Sequence, residues 1–156
     1  MNVVQSVIGS VIMLGVFACV TASSEDSIPI RSIARGGFSG IQEPKQEVIT
    51  DRKIWEQFWS KHSRLMKPAT ALPEVDFTKE MVIAVTMGTK RTGGYAVEVV
   101  SVEAIDKKLK ITVKQSSPPP GAMTIQALTA PFHFVAVPRS GLKPEFVVEA
   151  KPASKK

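Results

Sequence analysis

The segment from Asp76 to Glu103 constrains the fold more than any other part of the chain. Met81 to Thr86 is an apolar run rich in β-branched residues, with the length of a strand that is buried on both faces. Further on, Tyr95, Val97 and Val99 alternate with less apolar residues, which is typical of a strand with one face on a core. The segment therefore predicts two strands joined by a short loop.

The loop between these strands, Thr89 to Gly94, is polar and basic. Its glycine pair can adopt positive φ and leave backbone amides open to a partner. A plain hairpin turn is the simplest interpretation, because glycine pairs are first of all turn residues. The alternative is a partner-binding loop that includes the only tyrosine of the chain. The residues of this candidate site are Lys90, Arg91, Thr92, Gly93, Gly94 and Tyr95.

An amphipathic helix is predicted from Arg52 to His62, with Thr50 or Asp51 as its N-cap. Its apolar positions are Trp55, Phe58 and Trp59. An aromatic stripe of this kind could form a ligand platform, but it more often packs a lone helix onto a sheet. We therefore expect the stripe to be core.

Short apolar or alternating segments predict the remaining strands, and together they indicate an α+β fold: a β-rich antiparallel sheet or sandwich with one aromatic-faced helix. The strand over 109–113 is expected to be antiparallel and to border solvent. The predicted strands beyond the first two are residues 47–50, 109–113, 123–129, 132–137 and 145–150.

A second candidate loop contains three consecutive prolines, which remove backbone donors and hold the chain extended. In an up-and-down strand order it would lie at the same end of the sheet as the loop from Thr89 to Gly94. We therefore predict one composite partner-binding surface. The second loop contributes Pro118, Pro119, Pro120 and Gly121.

Composition and charge limit the classes of partner. The chain is 156 residues long, 44% hydrophobic and 22% charged, which is ordinary for one globular domain. Its net charge of +6 is spread along the sequence and is not interleaved with aromatic residues. Nucleic acid is therefore not expected as a partner, whereas an anionic membrane or an acidic protein surface would be compatible.

The first 22 residues are typical of an export signal, since they are apolar but shorter than a comfortable membrane span. Val16, Ala18 and Cys19 fit a bacterial lipobox, which would make Cys19 the site of lipid attachment. Alternatively, Cys19 is removed by cleavage after Ala22. The expected divisions are a signal peptide over 1–22, a tether over 23–34, a domain over 35–150 and a basic tail over 151–156. Localisation in the bacterial cell envelope follows, either lipid-anchored or secreted after signal cleavage.

No pattern of residues indicates catalysis, a metal site or a cofactor. The single cysteine lies in the signal region, and His62 and His133 are on different elements without a metal-binding spacing. His62 is expected to act on the helix C-terminus, and His133 to be half-exposed on a strand. The sequence therefore predicts a protein without enzymatic activity.

Several motifs in order resemble one known family. They are the strand DFTKEMVIAV, then KRTGGY, then Gln126-Ala127-Leu128-Thr129 and Pro131-Phe132-His133. The chain is similar in these motifs to the C-terminal domain family of PrcB, a lipoprotein subunit of a bacterial protease complex. The resemblance extends over about residues 37 to 148. It implies an exported, β-rich, non-catalytic accessory domain with a protein partner, for which a protease is one candidate.

A weaker similarity is to chagasin-type inhibitors of cysteine proteases, which insert an Asn-Pro-Thr-Thr-Gly-Tyr loop into a protease cleft. Thr92, Gly94 and Tyr95 match that loop, whereas Lys90 and Arg91 replace Asn-Pro. A protease inhibitor acting through this loop and a purely structural envelope module therefore remain alternatives to an accessory subunit.

Overall fold

A computed structural model of the chain describes residues 26–68 and 70–151, with eight strands and one helix in those ranges. The elements are β1 (Asp26–Ser27), β2 (Arg31–Gly36), β3 (Pro44–Ile49), α1 (Arg52–Ser63), β4 (Glu80–Met87), β5 (Ala96–Ile105), β6 (Lys108–Ser116), β7 (Phe132–Pro138) and β8 (Lys143–Lys151).

The strands form two four-stranded sheets packed face to face. The first sheet has the order β1-β5-β6-β8 and the second sheet has the order β2-β7-β4-β3. All neighbouring strands are antiparallel except β6 and β8, which are parallel. The predicted β-rich α+β architecture with one helix is confirmed. The strand over 109–113 is interior to its sheet, between an antiparallel and a parallel neighbour.

Aliphatic side chains fill the layer between the two sheets. β4 contributes Met81, Ile83 and Val85, and their partners across the layer include Leu109 and Ile111 of β6. The intervening residues of β4 point to the other face of the second sheet. The unbroken apolar run that predicted a strand buried on both faces is thus explained, because both faces of β4 are covered.

Helix α1 covers the outer face of the second sheet with its aromatic stripe. Trp55, Phe58 and Trp59 are buried against Phe134 of β7, with ring centroids between 5.1 and 6.3 Å apart. The Asp51 carboxylate accepts bonds from the first backbone amides of the helix, as expected of an N-cap. The aromatic stripe is therefore core, as predicted.

Three local predictions are wrong. β4 and β5 belong to different sheets, so the glycine loop between them is a crossover and not a hairpin. Residues 123–129 form no strand and make only one isolated bridge, between Thr129 and Lys90. The tether assigned to 23–34 includes β1 and the start of β2, because these residues pair with β5 and β7.

The connections divide between the two ends of the sandwich. The β2–β3, β4–β5 and β6–β7 connections lie at one end, hereafter the loop end; they comprise residues 37–43, 88–95 and 117–131. The β5–β6 turn, with Asp106 and Lys107 at positive φ, lies at the opposite end, as does β1.

The residues before Asp26, including the predicted signal and Cys19, are outside the described residues. Within the described residues, no helix combines the length and hydropathy needed to cross a membrane.

Candidate functional site

Backbone hydrogen bonds join the three connections of the loop end to one another. Lys90 and Thr129 exchange both of their amide bonds, at 2.7 and 2.9 Å, and the Gly93 amide donates to the Ile125 carbonyl at 3.0 Å. The Thr89 amide donates to the Gln42 carbonyl at 2.9 Å. Segments that carry no regular secondary structure are thereby held in fixed positions.

The two loops predicted from the sequence to form a composite surface lie in contact. Gly94 has φ +86°, and a Cβ at this position would lie 2.9 Å from the Cβ of Pro118. A side chain at Gly94 would be strained and would also displace the proline loop. Beyond Pro118, the Ala122 amide donates to the Pro119 carbonyl at 3.0 Å, which closes a turn around Pro120 and Gly121.

The glycine loop does not offer its amides in the way the sequence suggested. The amides of Thr89, Lys90 and Gly93 are all used within the loop end, and Gly93 is buried beneath Ile125. A partner would therefore meet side chains more than backbone. The prediction failed because the sequence does not show which distant carbonyls the folded chain brings to a loop.

Tyr95 is less available than a binding hot spot would require. It is partly buried and packs against the aliphatic layer between the sheets. The Lys90 ammonium lies 5.5 Å from the centre of its ring, at a distance typical of a cation–π contact. Arg91 is exposed beside them, and Thr92 is half-buried with its carbonyl accepting a bond from the Thr129 hydroxyl. The accessible part of the glycine loop is therefore mainly basic.

Sequence reasoning missed an apolar groove of about 290 Å³ beside this loop. Phe38, Leu65 and Leu128 line it and are 61%, 66% and 68% exposed. No local pattern indicates the groove, because its walls come from four segments that are distant in sequence. The lining residues are Phe38, Ser39, Gly40, Gln42, Leu65, Met66, Thr89, Leu128, Thr129 and Ala130.

A larger cleft of about 870 Å³ lies near the opposite end, beside the first turn of α1. Its wall from Leu72 to Thr78 contains Asp76, whose carboxylate accepts bonds from the amide and hydroxyl of Thr78. These bonds lower the pKa of Asp76. The carboxylate is thus ionised and already bonded, which is unsuited to general acid catalysis.

His62 is a buried structural residue, in contrast to the expected role at the helix C-terminus. Its ring packs edge-on against Phe132 and Phe134, and Nδ1 lies 2.9 Å from the Ser39 hydroxyl, which also accepts a bond from the Ile41 amide. The Ser39–His62 bond thus joins the β2–β3 connection to the last turn of α1. Burial lowers the pKa of His62 to about 4. The ring is uncharged at neutral pH, so it cannot compensate the helix dipole and is a weak base for activating Ser39.

His133 links three strands across the interior and is not the half-exposed residue predicted. Its Nδ1 accepts a bond from the Val99 amide of β5 at 2.9 Å, so the ring proton is on Nε2 and is donated to the Ser32 hydroxyl of β2 at 3.0 Å. Burial lowers the pKa of His133, and the nearby Arg35 adds to this effect. His133 points away from Phe132 and Phe134, toward the first sheet. The exposure is wrong because that side of β7 faces the first sheet.

Neither histidine is arranged for catalysis. In the His133 pair the ring donates to the serine, so no basic nitrogen is aimed at the hydroxyl. Among residues 26–68 and 70–151, no three histidine, cysteine or acidic side chains converge in a metal-binding arrangement. At the loop end, by contrast, a basic loop lies beside an apolar groove.

Comparison with known proteins yields one match. No curated protein and no solved structure matches the chain. The family model described as PrcB C-terminal matches residues 81–138, from β4 to β7. This segment is shorter than the resemblance inferred from the motifs and does not include helix α1, but it contains both predicted loops. Over residues 81–138, the chain is similar to the PrcB C-terminal family.

Proposed function

We propose that the chain is an exported, non-catalytic accessory domain that binds a protein of the bacterial envelope through its loop end. The similarity to the PrcB C-terminal family suggests an accessory domain of a protease complex. The observation that carries the proposal is that residues 81–138 include both Lys90–Tyr95 and Pro118–Gly121, which contact each other through Gly94 and Pro118. Two loops that pack together offer a partner one surface instead of two separate ones.

The position of β1, where the described residues begin, supports a domain orientation in which the loop end points away from the membrane. Asp26 pairs with Ala104 at the end opposite the loops. Six residues separate Cys19 from Asp26, so a lipid on Cys19 would be seven Cα–Cα steps away, or at most about 25 Å when fully extended. An anchored domain would then present its loop end away from the membrane, where another envelope protein can reach it.

The interior polar groups support a role without catalysis. The Ser39–His62 and Ser32–His133 pairs are both explained by packing, since each joins segments that are distant in sequence. Helix α1 and the β2–β3 connection are joined by the first pair, and β2 and β7 by the second. These bonds stabilise the scaffold beneath the loop end.

A protease inhibitor is the second candidate function. Thr92, Gly94 and Tyr95, the residues similar to the chagasin-type loop, lie in a connection between two packed sheets and beside a second loop at the same end. An inhibitor should block a papain-like protease at stoichiometric concentration. An accessory subunit should instead copurify with its partner and alter the partner's lifetime.

Partner capture with loop variants tests the proposed surface. The domain would be used to retrieve proteins from envelope extracts, in parallel with the paired variant Arg91→Ala, Thr92→Ala. Lys110→Ala, on the outer face of the first sheet, is the control. We expect the paired variant to lose the partner at an unchanged melting temperature. Equal retention by all three proteins would contradict a role for this loop.

Lipid attachment has its own test. Cys19→Ser should release the protein from membranes or block its maturation, because the thiol would be the acylated group. Membrane fractionation and the mass of the mature N-terminus measure this. Unchanged fractionation with no acyl mass would instead favour cleavage after Ala22.

A further inference from the structure

From the groove and the charges around it, we infer that the loop end binds a partner segment in which a large apolar side chain is flanked by Asp or Glu residues. This inference rests on the proposed function and specifies the chemistry of the protein partner. The apolar side chain would enter the groove between Phe38, Leu65 and Leu128. The acidic residues would pair with basic side chains on both sides of it.

The groove is formed by segments that are already fixed in position. The Gly40 amide donates to the His62 carbonyl at 2.7 Å, and the Ala130 amide donates to the Gly37 carbonyl at the same distance. The buried Ser39–His62 hydrogen bond lies directly beneath the groove wall. A preformed site loses little conformational entropy when a ligand binds, so a short segment can bind it without folding the site.

Exposed apolar side chains are concentrated at this end of the molecule. Eight large apolar side chains are exposed among the described residues, and five of them belong to the loop end or to the adjoining C-terminus of α1. Scattered single residues would need no explanation, but a cluster around a concavity is typical of a binding site. The five are Phe38, Leu65, Met123, Ile125 and Leu128.

Basic residues are next in sequence to two of the segments that line the groove. Arg64 and Lys67 adjoin Leu65 and Met66, and Lys90 and Arg91 follow Thr89. None of these four cations forms an ion pair with the part of the chain that the structure describes, whereas seven other basic residues there do. Glu43 is the one acidic residue within two positions of a lining residue. The groove is therefore set in a positive surface, which favours an acidic partner.

The concave shape favours a protein segment over a lipid surface. An apolar side chain of a peptide can enter a groove of about 290 Å³, whereas a bilayer requires apolar groups that project into it. Anionic lipid is retained as an alternative occupant in the test.

The test uses the full chain and three labelled dodecapeptides, with fluorescence anisotropy as the measurement. The first has a central Leu-Phe pair flanked by Asp and Glu residues, the second has Lys residues in the acidic positions, and the third has Ala-Ala at the centre. We expect the first to bind at least about tenfold more tightly than either of the others, with affinity falling as salt is added. Equal binding of the three peptides, or no binding, would overturn the inference.

Variants then locate the site. Leu65→Ala with Leu128→Ala should weaken binding of the first peptide about tenfold or more, and Arg64→Glu with Arg91→Glu should do the same. The matched controls are Ile54→Ala, an exposed apolar residue on the outer side of α1, and Lys53→Glu, next to it. Controls that weaken binding as much as the groove variants would contradict the location. Tighter binding of the full chain to phosphatidylglycerol vesicles than to phosphatidylcholine vesicles, abolished by Leu65→Ala with Leu128→Ala, would overturn the inference in favour of lipid.

Failure of this inference can be separated from failure of the proposed function. One outcome is that the unchanged domain retrieves a partner that the Arg91→Ala, Thr92→Ala variant loses, while the acidic peptide does not bind. In that case the partner binds the loops without using the groove. If the acidic peptide binds while no partner copurifies, the groove chemistry stands and the accessory role is lost.

Discussion

The two faces of the second sheet are covered in different ways. One face packs on another sheet through aliphatic side chains, whereas the other packs on α1 through aromatic side chains. Two sheets meet over a broad area about 10 Å apart, and short branched side chains from both fill that layer. A single helix covers less area, so large rings such as Trp55 and Phe134 fill the space beneath it. The difference teaches that residue size follows the shape of the covering element.

Each layer also contains one buried histidine bonded to a serine. In the aromatic layer, Nδ1 of His62 is bonded to the Ser39 hydroxyl, whereas in the aliphatic layer His133 donates to Ser32 and accepts from Val99. Both rings are neutral because burial lowers their pKa. For His133, the backbone amide of Val99 decides that the proton is on Nε2.

The largest effect is expected in the aromatic layer. Trp55→Ala should lower the free energy of unfolding by about 3 to 5 kcal/mol, because a nearly inaccessible ring is replaced by a cavity. Urea denaturation measures the change, and Ile54→Ala, at an exposed position of the same helix, should change it by less than about 0.5 kcal/mol. If Trp55→Ala and Ile54→Ala unfold at the same urea concentration, packing of the Trp55 ring in the aromatic layer does not stabilise the fold.

Acid should destabilise the aromatic layer through His62. Its pKa is about 4 in the folded protein and about 6.5 when unfolded, so between these values the unfolded chain binds more protons. The contribution of His62 to the free energy of unfolding is fully present above pH 6.5. It decreases as the pH falls to 4, by about 3 kcal/mol at most. The free energy of unfolding at pH 7.5 and pH 4 should therefore differ less in His62→Gln than in the wild type.

His133 titrates in the same direction, so its variant serves as the comparison for the aliphatic layer. Protonation would place a second N–H against the Val99 amide and break that bond. His133→Gln should therefore also reduce the loss of stability in acid. An unchanged pH dependence in His62→Gln would assign the acid sensitivity to groups outside the aromatic layer.

The smallest effect is expected from the ion pair that joins the two sheets at the surface. Arg35 of β2 and Glu98 of β5 are 2.8 Å apart, with about 40% or more of each side chain exposed. Solvent screens such pairs, so a double-mutant cycle with Arg35→Ala and Glu98→Ala should give a coupling of at most about 1 kcal/mol. A coupling above 2 kcal/mol would mean that this pair, and not the aliphatic layer alone, holds the sheets together.

Much of the fold could be predicted from local patterns. The alternation in β5 and β6, the apolar run of β4 and the Asp51-capped helix all correspond to observed elements. These predictions succeed because period, capping and turn chemistry depend on residues within one or two turns of each other. The strand predicted over 123–129 is absent. Its apolar residues alternate as in a strand, but they are exposed at the surface and do not pack into a core.

The candidate site was only partly predictable. The basic glycine loop and the proline loop were found from composition, and the fold brings them into contact at Gly94 and Pro118. The groove was missed because Phe38, Leu65 and Leu128 are far apart in sequence and each has an ordinary local context. Exposure of an apolar side chain depends on where the rest of the chain packs.

The sequence by itself determined the helix, the aromatic character of its buried face and six of the eight strands within the described residues, β3 to β8. Tertiary structure alone decided that β4 and β5 join different sheets, that β8 runs parallel to β6, and that both histidines are buried. Local propensities act over a few residues, whereas strand order, proton positions on His62 and His133, and the walls of the groove depend on contacts between segments far apart in the chain.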